Sequence, residues 1–271
     1  MKRKNFYQML KRLKYYAIIW AMISKNSFLI MMSRKLLFGM FLFGKVVRFL
    51  LFFAFLFFLV SGSKEIAGYN TQQAIFFYLT FNVIDVIAQF LFREVYRFRP
   101  LLVSGDFDLI LSKPISALFR VLLGGTDVID LVTMPPLFFA VWYVGNMLAP
   151  TPLHVLYYIL LLVNGLFIAT AFHIAVLSVG IITLEIDHTI MVYRDLTALG
   201  TFPVDIYREP IRSVITYLVP VGIMVTLPAK AFFGLVSPLG VFSSFVFGCL
   251  LVLLSLRFWD FAIKKYKSAS S

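Results

Sequence analysis

LHVLYYILLLVNGLFIATAFHIAVLSVGIITL, residues 153–184, contains no Asp, Glu, Lys or Arg. About 20 apolar residues suffice for a helix to cross a hydrocarbon core of ~30 Å, so this run spans a bilayer with turns to spare. The rest of the chain agrees. It is 61% hydrophobic and only 14% charged over 271 residues, with a mean hydropathy of +0.91, more apolar surface than a soluble fold of this size could hide. The expected fold is an all-α integral membrane protein, one domain of about six transmembrane helices.

Working outward from that run, the same criterion gives spans at about 36–60, 72–92, 127–147 and 238–262. Pro135 and Pro136 should kink the third span, because each removes a backbone donor and crowds the carbonyl one turn back. Lys and Arg outnumber Asp and Glu by 25 to 13. Residues 93–120 carry Arg93, Arg97, Arg99, Lys113 and Arg120, the last residues carry Lys264, Lys265 and Lys267, and the linker NMLAPTP (146–152) carries no charge. By the positive-inside rule the 93–120 loop and both termini are cytoplasmic. Such an excess suits anionic lipid headgroups, so membrane lipids are expected partners and nucleic acid is not.

Before the first span, in residues 1–35, Phe6, Met9, Leu10, Leu13, Tyr16 and Ala17 recur at helical spacing, opposite Lys11, Arg12 and Lys14. This pattern predicts an amphipathic helix lying on the cytoplasmic face. The start lacks a short apolar core followed by a cleavage site, so no signal peptide is expected. The single cysteine, Cys249, lies inside an apolar run, where a buried, inert thiol is expected and no intrachain disulfide can form.

Residues 185–234 must contain an odd number of crossings if both termini are cytoplasmic. Either 211–227 is the fifth span, or a weakly apolar helix over 187–202 crosses and the following segment re-enters from outside. Glu185, Asp187, Asp195, Asp205 and Glu209 outweigh Arg194, Arg208 and Arg212 here, a balance a cytoplasmic loop does not favour. Charge therefore points to the second arrangement, with Arg194 and Asp195 available to pair. Pro203, Pro210, Pro220 and Pro228 then break a re-entrant gate over 203–237, which also contains Asp205.

Sites for chemistry are scarce. No GxxxxGK[ST] is present, so the chain has no Walker A loop for ATP, and GxGxxG, HExxH and GxSxG are absent too. His154, His173 and His188 share no metal-ligand spacing, and Glu185, Asp187 and His188 suit a helix boundary, so neither a metal site nor catalytic residues are expected. Asn82, Asp85 and Gln89, spaced i, i+3, i+7, form one polar stripe on the second span, which should face a partner helix or an aqueous path. His173 in the fourth span invites the same two readings. Lys45 and Arg48, three apart in the first span, are costly in lipid unless they snorkel, pair or face a wet cavity.

In SGDFDLILSKP (104–114), Gly105 permits a turn and Ser104 or Asp106 can cap a helix. Phe107, Leu109, Ile110 and Leu111 then supply an apolar face suited to a groove in a soluble partner. Asp106 and Asp108 also make a carboxylate pair, but with no pocket residues around them to support acid–base work.

SGDFDLILSKPISALFRVLL (104–123), FPVDIYREPIRSVITYLVPVGIMVTLPAKAFFG (202–234) with its Pro220-x7-Pro228 pair, and RFWDFAIKKYKSASS (257–271) together resemble the compact six-span branch of the ABC-2 type exporter permeases. The resemblance implies a pair of permeases, identical or different, bound to ABC ATPase subunits that hold ATP and Mg, in a bacterial-type plasma membrane. It further implies that Arg99, Gly105, Asp106, Phe107, Asp108, Leu111, Lys113 and Pro114 belong to a coupling helix against the ATPase. An amphipathic or lipid-like cargo would suit apolar spans with one polar stripe. An ion-coupled carrier using Asp85 and the Arg194/Asp195 pair, or a membrane-embedded lipid-modifying enzyme, are the rival readings.

Overall fold

The computed structural model describes residues 2–63, 65 and 67–267, and every regular element among them is helical. Residues 268–271 and the side chain of Phe6 lie outside the described part. In chain order come α1 (Lys2–Ser33), α2 (Lys35–Ser63), α3 (Thr71–Phe92), short helices α4 (Phe98–Val103), α5 (Asp106–Leu111) and α6 (Ala117–Leu123), then α7 (Val128–Met147) and α8 (Pro152–Thr183). A 13-residue helix, α9 (Ile186–Ala198), a bent pair of arms (Ile211–Leu218 and Gly222–Phe232) and α10 (Pro238–Lys265) complete the chain.

The long helices begin where local chemistry tells them to. Asn70 accepts from the Gln73 N–H at 2.9 Å while the Gln73 side chain accepts from the Asn70 N–H at 3.1 Å, a reciprocal cap on α3. Thr151 and Ser237 cap α8 and α10, each followed by a proline whose missing N–H costs nothing in the first turn. Among the described residues, five helices are long and apolar enough to cross a membrane, and the bent pair makes six if it counts as one span. α2 has the length as well, since its 29 residues reach about 43 Å.

α1 passes that length test too. Tyr16 accepts from the Ser116 N–H at 3.3 Å and packs on Phe119, with ring centres 4.6 Å apart. Trp20 meets Phe90 edge-on, and Ser27 lies against Gly125. Residues 90, 116, 119 and 125 all belong to the basic end of the bundle, where α3 stops and α7 starts. These contacts tie the middle of α1 to that end of the bundle.

The course from α9 onward follows from its ties to the two ends. Arg99 of the basic loop bonds Asp187 at 3.2 Å, in the first turn of α9. Eighteen residues on, at the opposite end, the Tyr69 hydroxyl before α3 donates to Asp205 at 3.0 Å. The helix expected over 187–202 is not continuous: α9 covers about 20 Å, and the 3₁₀ turns Leu199–Thr201 and Val204–Ile206, which rise faster per residue, extend it.

Arg212, at the head of the first arm, also bonds Asp205. The arm then descends until Leu218 and Pro220 share a groove with Ile168 and Leu254, deep in α8 and α10. There the chain bends by 76°, and the second arm climbs back until Phe232 stacks on Phe76 at 4.2 Å. Arg212 of the first arm and Lys230 of the second both reach Asp205, so one carboxylate bridges the two arms of this bent hairpin. The returning arm is buried at Met224, Val225, Ala229 and Ala231, whereas Ile211, Tyr217 and Leu218 of the descending arm are exposed.

Close helix approach rests on small residues. A Cβ added at Gly165 of α8 would lie 2.6 Å from the Met224 carbonyl oxygen, and one at Gly248 of α10 would lie 2.1 Å from Asn164 Oδ1. One expectation fails here. Cys249, next to Gly248, is exposed on the outer face of α10 rather than buried, because the glycine takes the inward position.

Candidate functional site

The polar stripe of α3 does border open space. Asn82, Asp85 and Gln89, with Lys45 and Arg48 of α2 and Thr133 and Pro136 of α7, line a cavity of about 330 Å³ whose remaining wall is apolar apart from Tyr78. A second cavity of about 240 Å³ shares Arg48, Asp85 and Gln89 and adds Arg194 and Asp195 of α9. Three segments far apart in sequence thus bring five charged groups to the two adjoining cavities, with Arg48, Arg194 and Asp195 exposed.

The charges are not evenly satisfied. Lys45 is ion-paired with Asp130 of α7, a carboxylate that is fully buried. Gln89 Nε2 donates to Asp85 Oδ2 at 2.7 Å, and Asn82 Nδ2 donates to the Tyr78 carbonyl one turn back, also at 2.7 Å. Arg48, Arg194 and Asp195 make no ion pair among the described residues. Arg194 and Asp195 therefore do not pair with each other as expected. As neighbours on a helix they diverge by about 100°.

His173 is not part of this space. It is buried, with Nδ1 2.7 Å from the Ala169 carbonyl oxygen and the rings of Phe92 and Tyr193 each 4.7 Å away. Its role is to pack α8 against α3 and α9.

At the basic end, Gly105 adopts φ +79° between α4 and α5, a left-handed turn that suits glycine. Gly105 itself takes the capping position of α5, while the Ser104 hydroxyl donates to Asp106 Oδ2 at 2.7 Å and accepts from the Asp106 N–H, the first of the helix, at 3.4 Å. Phe107, expected on a surface facing a partner, is fully buried between Phe98 and Tyr266, with ring centres 5.1 Å from each. It is the peg that fixes α5 to the end of α10. Burial, and then the nearby Asp108 carboxylate, push the Tyr266 phenol up to about 12.

What α5 and its flanks present outward is Val103, Leu109 and Leu111, followed by exposed Lys113 and Pro114. Arg99 holds Asp187, as described. The loop is further clamped by Arg120 to Glu94 at 2.6 Å and Arg93 to Asp127 at 3.4 Å. In the sequence these residues stood out only as part of a basic loop. Their partners lie across three turns of chain that no local spacing connects.

At the other end Asp205 is a hub. Besides Tyr69 and Arg212 it holds Lys230 at 2.7 Å, so one carboxylate ties the α2–α3 link to both arms of the hairpin. Burial and the Asp205 carboxylate hold the Tyr69 phenol well above its ordinary value. Pro203 opens the turn that carries Asp205, Pro210 precedes the descending arm, Pro220 sits at the bend, and Pro228 is buried in the returning arm.

The family model described as ABC-2 family transporter protein matches residues 42–270. No curated protein and no solved structure matches the chain.

Proposed function

The chain belongs to the ABC-2 transporter family, and we propose that it forms the path of an exporter for an amphipathic or lipid-like substrate. Membership makes it a multi-pass permease component that works with an ABC ATPase and is not itself the ATPase. ATP and Mg then act on that partner, and a second permease, identical or different, completes the path. The basic loop and both termini face the cytoplasm of a bacterial-type plasma membrane, α9 and its turns make the fifth crossing, and the hairpin is the outer gate.

The observation that carries this reading is the polar cavity walled by α2, α3 and α7, whose neighbour is walled by α9, the helix that Arg99 of the basic loop holds at its start. Phe107 pegs α5 to α10, while Arg99 grips Asp187 two turns before Arg194 at the cavity edge. A push on Val103 and Leu109 by an ATPase is thereby delivered to α9 and α10 as rigid bodies, and Asp205 restrains the hairpin until the bundle shifts.

Purification in mild detergent with identification of bound proteins by mass spectrometry tests the docking face. The Val103→Asp, Leu109→Asp variant should keep its melting temperature and lose a Walker A ATPase that the wild type retains. Phe107→Ala should instead destabilise the protein by about 3–5 kcal/mol, as expected of a buried aromatic truncated to a cavity. Retention of the ATPase by the double variant would move the docking face elsewhere.

A further inference from the structure

The charges around the larger cavity do not cancel within the protein. Lys45 is committed to Asp130, and Asn82 to its own helix backbone. That leaves Arg48, with no acceptor for its guanidinium among the described residues, and Asp85, whose only partner there is the neutral Gln89 amide. Both line the 330 Å³ cavity, yet they form no ion pair across it. The rest of the wall is mainly apolar, with Val46, Phe49 and Leu50 of α2, Val86 of α3 and Leu137 of α7 beside Tyr78 and Thr133.

We propose that this cavity binds an amphiphile with a zwitterionic headgroup, its anionic group on Arg48, its cationic group on Asp85 and its chain along the Phe49–Leu137 wall. Charges held within a membrane protein are costly unless each meets its opposite. An anionic amphiphile satisfies Arg48 but sets like charge beside Asp85, and a cationic one does the reverse. A headgroup with both charges satisfies both walls at once. The adjoining cavity repeats the arrangement with Arg194 and Asp195, so a headgroup moving towards α9 keeps partners of both signs. The inference rests on the permease reading and names its substrate class.

The test uses the full chain in a non-ionic maltoside, with melting temperature followed against hexadecylphosphocholine, hexadecyl phosphate and hexadecyltrimethylammonium. The zwitterion should reach half-maximal stabilisation at about tenfold lower concentration than either singly charged amphiphile, the scale of one charge-assisted hydrogen bond. Glycerophosphocholine, which has no chain, should have no effect. Arg48→Gln should turn the preference towards the cation and Asp85→Asn towards the anion.

Equal stabilisation by all three amphiphiles overturns the proposal, as does an unchanged ranking in both variants or equal binding of the chainless headgroup. If the variants do not fold, the wild-type ranking decides alone. No ATPase is needed, so a failed ranking beside a co-purifying ATPase removes this inference and leaves the permease reading. A preserved ranking without any ATPase does the opposite.

Discussion

Lys45 and Arg48 stand one turn apart on α2, and both are expensive there, but only Lys45 has a carboxylate of its own. Removing it by Lys45→Met leaves Asp130 buried without a counter-charge, and breaking such a pair costs about 3–5 kcal/mol. Adding Asp130→Leu removes the orphaned charge and should restore most of the loss. Thermal denaturation of the two variants checks this; a double variant no more stable than Lys45→Met would mean that Asp130 finds another partner. The sequence marks Lys45 as needing a partner but does not show which. Asp130 follows the Asp127 cap and passes for an ordinary first-turn acid, which a helix dipole favours anyway. Phe107 misleads in a related way, because periodicity defines an apolar face without saying whether it meets a partner or its own bundle.

Between elements, backbone and side chain yield differently to added bulk. Gly165 of α8 faces the Met224 carbonyl of the returning arm, which is main chain and cannot rotate away. Gly248 of α10 faces the end of the Asn164 side chain, which can. Gly165→Ala should therefore destabilise the protein by about 1–3 kcal/mol, the usual scale of overpacking, and Gly248→Ala by clearly less. Melting temperatures of the two variants in one detergent decide it, and the reverse order would show that α8 and α10 meet more rigidly than α8 and the arm. Helices such as α3, α8 and α10 were legible beforehand because run length and caps are local. α9 was not legible by hydropathy, since Arg194 and Asp195 interrupt 13 residues, and only the acidic balance around it pointed to a crossing.

For the whole molecule the question is on which side of the membrane residue 208 lies. If the hairpin were a simple span, everything from 185 to 210 would stay with the basic loop in the cytoplasm. If α9 and its turns cross, as Arg99–Asp187 at one end and Tyr69–Asp205 at the other favour, Arg208 is extracellular. Arg208 is exposed, and Cys249, the chain's one cysteine, can be replaced by serine to clear the background. An Arg208→Cys variant in intact cells should then react with a membrane-impermeant maleimide. Lys113→Cys, exposed on the basic loop, should react only after the cells are opened. Labelling of both positions only after opening would make the hairpin the fifth span and put Asp205 on the ATPase side. Its ties to Tyr69, Arg212 and Lys230 could then no longer belong to an outer gate.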